Sequence, residues 1–171
     1  MEQEALDQGC ARQLRKVFFD RKMNHFRMLE ITNTCRAWYR TKRLEYLLTR
    51  TLHYTESRTP HIMISLVFAR PNVIKKMNSH FRKKDTPTNV LTFVLEKTTH
   101  SVQAEIVLCS DVIKKEARML GIPYSWHLER LWVHGLLHVV GYRHDTEKEA
   151  QVMELCEQNI LKRDIKIKHI L

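Results

Sequence analysis

Apolar residues along this chain fall into two rhythms, and their order predicts the elements. Short blocks rich in β-branched and aromatic residues read as strands: 28–33, HIMISLVF over 61–68, the second half of RKKDTPTNVLTFVL over 89–95, and VQAEIVL over 102–108. Between them, Leu44, Leu47, Leu48 and Leu52 repeat at the helical period and predict a helix over 37–52. Residues 69–81 predict a short helix with Pro71 near its first turn, where a missing N–H costs least. From residue 110 onward the period is helical. Ser110 or Asp111 caps a helix to Leu120, which Gly121 and Pro123 end. Ser125 caps the next, from about Trp126 to Val140, stopped by Gly141. Thr146 and Glu149 form a capping box that opens a last helix to about Arg163.

That order predicts an α/β or α+β fold, with one small mixed sheet packed with helices in a single domain over 28–171. Residues 1–27 are polar and basic with weak periodicity. They read as an N-terminal extension, helical or disordered, with Met28 as an alternative natural start. There are no internal repeats and no linker-like runs.

Charge changes this picture in one respect. The net charge is +10, and residues 28–100 hold thirteen Lys/Arg against five Asp/Glu, whereas residues 101–171 are balanced. Such an excess suits a positive face that attracts a polyanion such as RNA, or a plain solvated surface. No 18-residue apolar run predicts a membrane span, and the N-terminus lacks the basic start and apolar core of a secretory signal. Cys10, Cys35, Cys109 and Cys156 form no CxxC pair and read as reduced thiols.

The chemistry sits in HGLLHVVGYRH, residues 134–144. His134 and His138 stand four apart on a predicted helix, so both imidazoles point the same way, roughly 6 Å apart along the axis. Gly141 permits a sharp left-handed turn, which brings His144 back as a third ligand. Three neutral imidazoles suit one Zn²⁺ per chain and leave a fourth position for water, whose pKa the ion would lower. The spacing matches HExxHxxGxxH of zinc proteases, but Gly135 stands where the protease has its general-base Glu. A purely structural zinc usually has a fourth protein ligand, and no candidate for one stands out.

These residues resemble the YbeY-type endoribonucleases. The family's helix reads HGxLHLxGYDH, against HGLLHVVGYRH here. A second family stretch is matched by Asn78, Phe81, Arg82, Lys83, Lys84, Asp85 and PTNVLTF over 87–93. Ala104, Glu105 and Ile106 echo its Gly-Asp-Ile strand, and Glu149, Met153 and Glu154 its acidic last helix. The resemblance covers 28–163. It implies an α+β fold around a four-stranded sheet, with zinc held by His134, His138 and His144 and with Arg82 associated with cleavage. It implies a metal-dependent, single-strand-directed endoribonuclease in the bacterial cytoplasm, serving 16S ribosomal RNA 3′-end maturation and ribosome quality control. Ribosomal RNA and ribosomal subunit proteins would be its partners. Arg143 replaces the usual Asp, Thr92 a Ser and Ala104 a Gly; none of these removes a ligand.

Arg82 also has a physical case, because a guanidinium grips phosphate with two parallel hydrogen bonds. Lys83, Lys84 and Arg143 are candidate RNA contacts or plain surface charge. Asp85 and Asn89 read as residues that hold the turn, and Glu105 as an acid facing the pocket or paired with an arginine. Trp126, Trp132 and Phe93 are candidates for base stacking, with core packing preferred for Trp132. His127, at i−7 from His134, could share the metal-facing side but is disfavoured as a fourth ligand. Two other functions compete: a non-catalytic, zinc-stabilised factor that binds RNA or the ribosome, and a zinc protease, which Gly135 disfavours.

Overall fold

Period-two alternation builds a mixed sheet from β1 (Arg12–Asp20), β2 (His25–Asn33), β3 (His61–Phe68), β4 (Val90–Lys97) and β5 (Ser101–Leu108). The protein was analysed as a computed structural model that describes residues 12–20, 25–57 and 59–162. The strand order is β1-β2-β3-β5-β4, with β2, β3 and β5 parallel and the two edge strands antiparallel to their neighbours. The four strands expected from the sequence form β2 to β5. The fifth, β1, falls within the segment read as a helical or disordered extension; its alternation of apolar and basic residues is short and weak. Residues 1–11 and 21–24 lie outside the described residues, as does Arg163, the expected end of the last helix.

The helices are α1 (Thr41–Tyr54), α2 (Pro71–Arg82), α3 (Ser110–Met119), α4 (Tyr124–Val140) and α5 (Glu147–Leu161). Parallel neighbours need crossovers, and α1 and α2 lie within them. One sheet face, bearing Leu29, Ile31, Ile64, Leu66, Ala104 and Ile106, packs into the main core with α1, α4 and α5. On the other face Ile74 of α2 closes a smaller cluster with Leu91, Val107 and Cys109.

At the centre, α4 packs against α1, α3, α5, β4 and β5. Apolar on nearly every side, it reads as a buried helix. Trp132 is fully buried and donates from Nε1 to the Leu44 carbonyl at 3.0 Å, so it is a core residue and not a stacking platform. Two caps and one helix start differ from expectation. Pro123 occupies the N-cap of α4, with Ser125 inside the helix. Cys109 occupies that of α3, and Ser110 instead pairs with the Tyr124 hydroxyl at 2.9 Å. The first helix begins at Thr41, four residues later than its apolar stripe suggested, with no side-chain cap bond. The Thr146–Glu149 capping box forms as expected. Among the described residues no helix is long and apolar enough to cross a membrane.

Candidate metal centre

The last two turns of α4 present His134 and His138 on one side, and the chain then reverses at Gly141, whose φ is 113°. That left-handed conformation suits glycine because it has no Cβ. The reversal returns His144 to the pair, its ring centroid 5.3 Å from that of His134 and 4.9 Å from that of His138. One ligand nitrogen from each of the three rings lies within 4.8 Å of the others.

Hydrogen bonds on the outer nitrogens fix which nitrogens face inward. Nδ1 of His134 donates to Oε1 of Glu157 at 2.7 Å, and Nδ1 of His138 donates to the Tyr142 carbonyl at 2.9 Å. Each neutral ring therefore carries its lone pair on Nε2, and these two Nε2 atoms are 3.1 Å apart. Two nitrogens bound to one tetrahedral zinc at 2.0–2.1 Å would stand about 3.3 Å apart. Two lone pairs at this separation repel each other, whereas a cation between them would draw both. The donor set and its spacing fit one borderline-soft divalent ion.

Glu157 was not picked out by the sequence reading. Its helix α5 buries Met153, Cys156 and Ile160, and Glu157 shares that stripe at 5% exposure. A carboxylate in line with buried apolar positions was the available signal, since such a group needs a partner. Arg130 supplies a second, donating from Nε to Oε2 at 3.1 Å. Burial alone would push the Glu157 carboxyl up, but the hydrogen bonds from His134 and Arg130 hold it below the usual carboxylate range. Burial lowers the pKa of His138, and the neighbouring His134, His144 and Arg82 reinforce this against the Tyr142 hydrogen bond. That favours the neutral, ligating form.

Gly135 explains how α4 comes so close to the sheet. A Cβ there would meet Ile106 Cγ2 at 3.0 Å and Thr92 Oγ1 at 3.1 Å. A protease-type Glu at this position would project into strands β4 and β5, so the substitution is built into the packing.

Arg82 is the last residue of α2, exposed, and near enough to His138 for its charge to disfavour that ring's protonation. Asn78, buried, sets the loop that follows by donating to the Thr86 carbonyl at 2.8 Å. Lys83 takes the left-handed C-cap position and turns its Nζ onto the His80 carbonyl at 3.1 Å. Lys84 is exposed. Arg143, 76% exposed in its side chain, lies 3.8 Å from Asp145. Lys97 on β4 reaches the Gly141 turn, its Nζ 3.5 Å from where a Cβ would stand; the sequence reading did not single it out.

Expectations for Asp85, Asn89 and Glu105 change, while His127 keeps its disfavoured standing as a ligand. Asp85 pairs with Lys75 at 3.1 Å instead of its own backbone. Asn89 donates to the Glu116 carboxylate. Glu105 alternates away from Ala104 and Ile106, and so lies on the sheet face opposite the histidines, where burial raises its pKa. His127 bonds Glu116 at 2.8 Å and stays outside the cluster. Phe93 stacks at a tilt on the exposed Phe81, with centroids 4.9 Å apart, beside Arg82. Trp126 is 42% exposed.

The family model described as Endoribonuclease YbeY matches residues 30–164. An Endoribonuclease YbeY of Polynucleobacter asymbioticus is 43% identical over 101 residues, covering 59% of this chain and 65% of the relative. One of Neorickettsia sennetsu is 35% identical over 140 residues, covering 80% of this chain and 96% of the relative. The solution structure of a Thermotoga maritima protein superposes with a TM-score of 0.53 at 25% identity, covering 78% of this chain and 87% of that one. The match to the first of these relatives thus spans about two thirds of its length.

Proposed function

The chain belongs to the YbeY endoribonuclease family, and we propose that it is a zinc-dependent endoribonuclease that cuts single-stranded segments of ribosomal RNA. The observation that carries this is the convergence of His134, His138 and His144, with the Nε2 lone pairs of the first two fixed inward, near the exposed guanidinium of Arg82. Within the family reading, its place is 16S ribosomal RNA 3′-end maturation and ribosome quality control in the bacterial cytoplasm, with ribosomal subunit proteins as partners.

His134, His138 and His144 would hold a zinc ion, which when bound would supply Lewis acidity toward a phosphodiester oxygen and the attacking hydroxyl or water. The protein's own residues do the rest. Glu157 and the Tyr142 carbonyl hold two of the rings in the ligating tautomer. Arg82, near enough for its charge to act on His138, would offer the phosphate a planar pair of donors and stabilise charge growing on it. Lys97, which reaches the Gly141 turn, and the exposed Lys83, Lys84 and Arg143 would add positive charge that draws in the RNA backbone. With Gly135 at the protease base position, no side chain there accepts the nucleophile's proton, and a peptide-hydrolysing mechanism of that type lacks its base.

The test is cleavage of a defined single-stranded RNA by protein of measured metal content, with a His134→Ala form in parallel. Cleavage that tracks bound zinc and vanishes in His134→Ala supports the reading. Equal cleavage by both forms points to contaminating nuclease and favours a non-catalytic binding factor. Products ending in a 2′,3′-cyclic phosphate identify the ribose 2′-hydroxyl as nucleophile.

A further inference from the structure

Beside the histidine cluster, and sharing His134 and Glu157 with it, lies a pocket of about 430 Å³ whose use the metal chemistry does not explain. His127, Arg130, Leu131 and His134 lie on one face of α4 and line it. Their span runs about 10 Å along the helix, from the far end to a metal-facing ring. Val90, Met119 and Leu120 add apolar walls, and the last two are 77% and 58% exposed. The volume falls in the range of small-ligand sites, roughly 300–1,000 Å³.

At the far end Glu116 is held from two elements. Asn89 Nδ2 donates to its two oxygens at 3.1 and 3.0 Å, and His127 Nε2 donates to Oε2 at 2.8 Å. His127 is 5% exposed, and its Nδ1 is buried without a hydrogen-bond partner, so the ring is committed to Glu116 through Nε2. Among the described residues no lysine or arginine pairs with Glu116, whose side chain keeps 32% of its surface open. An oriented carboxylate between apolar walls, one nucleotide's length from a phosphate-polarising centre, is built to accept a hydrogen bond from a flat, amphipathic group. Asn89 fills the fork between the two oxygens, which leaves Oε1 to accept one further donor.

We propose that this pocket takes the base of a nucleotide adjoining the scissile phosphate, and that Glu116 favours bases with an exocyclic amine over uracil. The phosphate side faces Arg130 and the histidines, the base lies against Met119, Leu120 and Leu131, and the amine of cytosine, adenine or guanine donates to Oε1. Uracil has no exocyclic amine; its one edge donor, the ring N3–H, is flanked by two carbonyl oxygens that the carboxylate repels, and desolvation makes that approach costly. The inference rests on the endoribonuclease reading for its place in the reaction, but the base preference is measurable without cleavage.

Two readouts on the zinc-loaded full chain test it. The first is binding of cytidine and uridine 5′-monophosphates, which share phosphate and ribose. The second is kcat/KM on oligoribonucleotides that differ by one cytidine-to-uridine change at each position flanking the cut. Cytidine is expected to win by roughly tenfold in binding and, at one flanking position, in kcat/KM. Glu116→Gln is expected to bring cytidine down to the uridine level, since a carboxamide offers a donor as readily as an acceptor. Met119→Trp, which leaves Glu116 intact and narrows the mouth, is expected to weaken cytidine monophosphate several-fold. Equal binding of the two nucleotides by the parent chain overturns the subsite whether or not RNA is cut. Cytidine preference without any RNA cleavage leaves the subsite standing and removes the nuclease reading.

Discussion

Glu157 of α5 accepts a 2.7 Å hydrogen bond from Nδ1 of His134 on α4, and it is the more buried partner of the two. The carboxylate fixes the ring's tautomer and raises its basicity toward a metal, which bare spacing of histidines along a helix does not achieve. Glu157→Gln keeps the size and one acceptor but loses the charge. Metal affinity is expected to fall by about 10- to 100-fold. Competition against a chromogenic chelator measures it; unchanged affinity would reduce Glu157 to a tie between helices.

Gly135 gives a second prediction, on stability. An alanine gains about 1 kcal/mol in helix propensity. Its Cβ, however, would stand 3.0 Å from Ile106 Cγ2 and 3.1 Å from Thr92 Oγ1, and Ile106 is fully buried. Overpacking of this kind costs about 1–3 kcal/mol. The packing term is the larger, so Gly135→Ala is expected to lower the urea midpoint, and Gly135→Glu to lower it much further without creating protease activity. A midpoint at or above the parent's for Gly135→Ala would show that α4 can retreat freely from the sheet.

Legibility followed the length scale of the interactions. The order from β2 to α5 and the three histidines were readable because 3.6- and 2-residue periods, a left-handed glycine and fixed ligand spacing are local rules. The strand β1 was not, because its pairing with β2 is a tertiary fact imposed on a weak pattern. Caps at Ser110 and Ser125 were misread because the chain enters those helices through Cys109 and Pro123, with no side-chain cap bond. Glu157 and Glu116 acquire their meaning only from partners 23 and 11 residues away, in other helices.

Acid should destabilise the metal-free protein through His138. Burial, chiefly, holds its pKa in the fold below the ordinary 6.5. Below about pH 6.5 the unfolded chain therefore binds a proton that the folded ring refuses, and stability falls until the folded pKa is passed. Urea midpoints of metal-free parent and His138→Gln between pH 7.5 and 5 isolate the contribution. The parent should lose stability more steeply than the variant over that window. Parallel curves, or a shallower fall in the parent, would contradict the assigned direction.

Arg82 separates catalysis from folding. It ends α2 on an exposed surface, while buried Ile74 and Asn78 anchor the helix and the following loop. Arg82→Ala should therefore leave metal content unchanged and move stability by under about 0.5 kcal/mol. Removal of its charge should slightly ease protonation of His138, since that charge now opposes it. Single-turnover cleavage should fall by roughly two to three orders of magnitude, the usual loss when a donor aimed at transition-state charge is removed. RNA affinity should fall far less, because Lys83, Lys84, Lys97 and Arg143 still attract the backbone. Arg82→Lys retains the charge but not the planar fork, so a comparable loss in that variant assigns the effect to bidentate geometry. Parental cleavage by Arg82→Ala with a full complement of metal would return the residue to ordinary surface charge and leave the histidine centre to act without it.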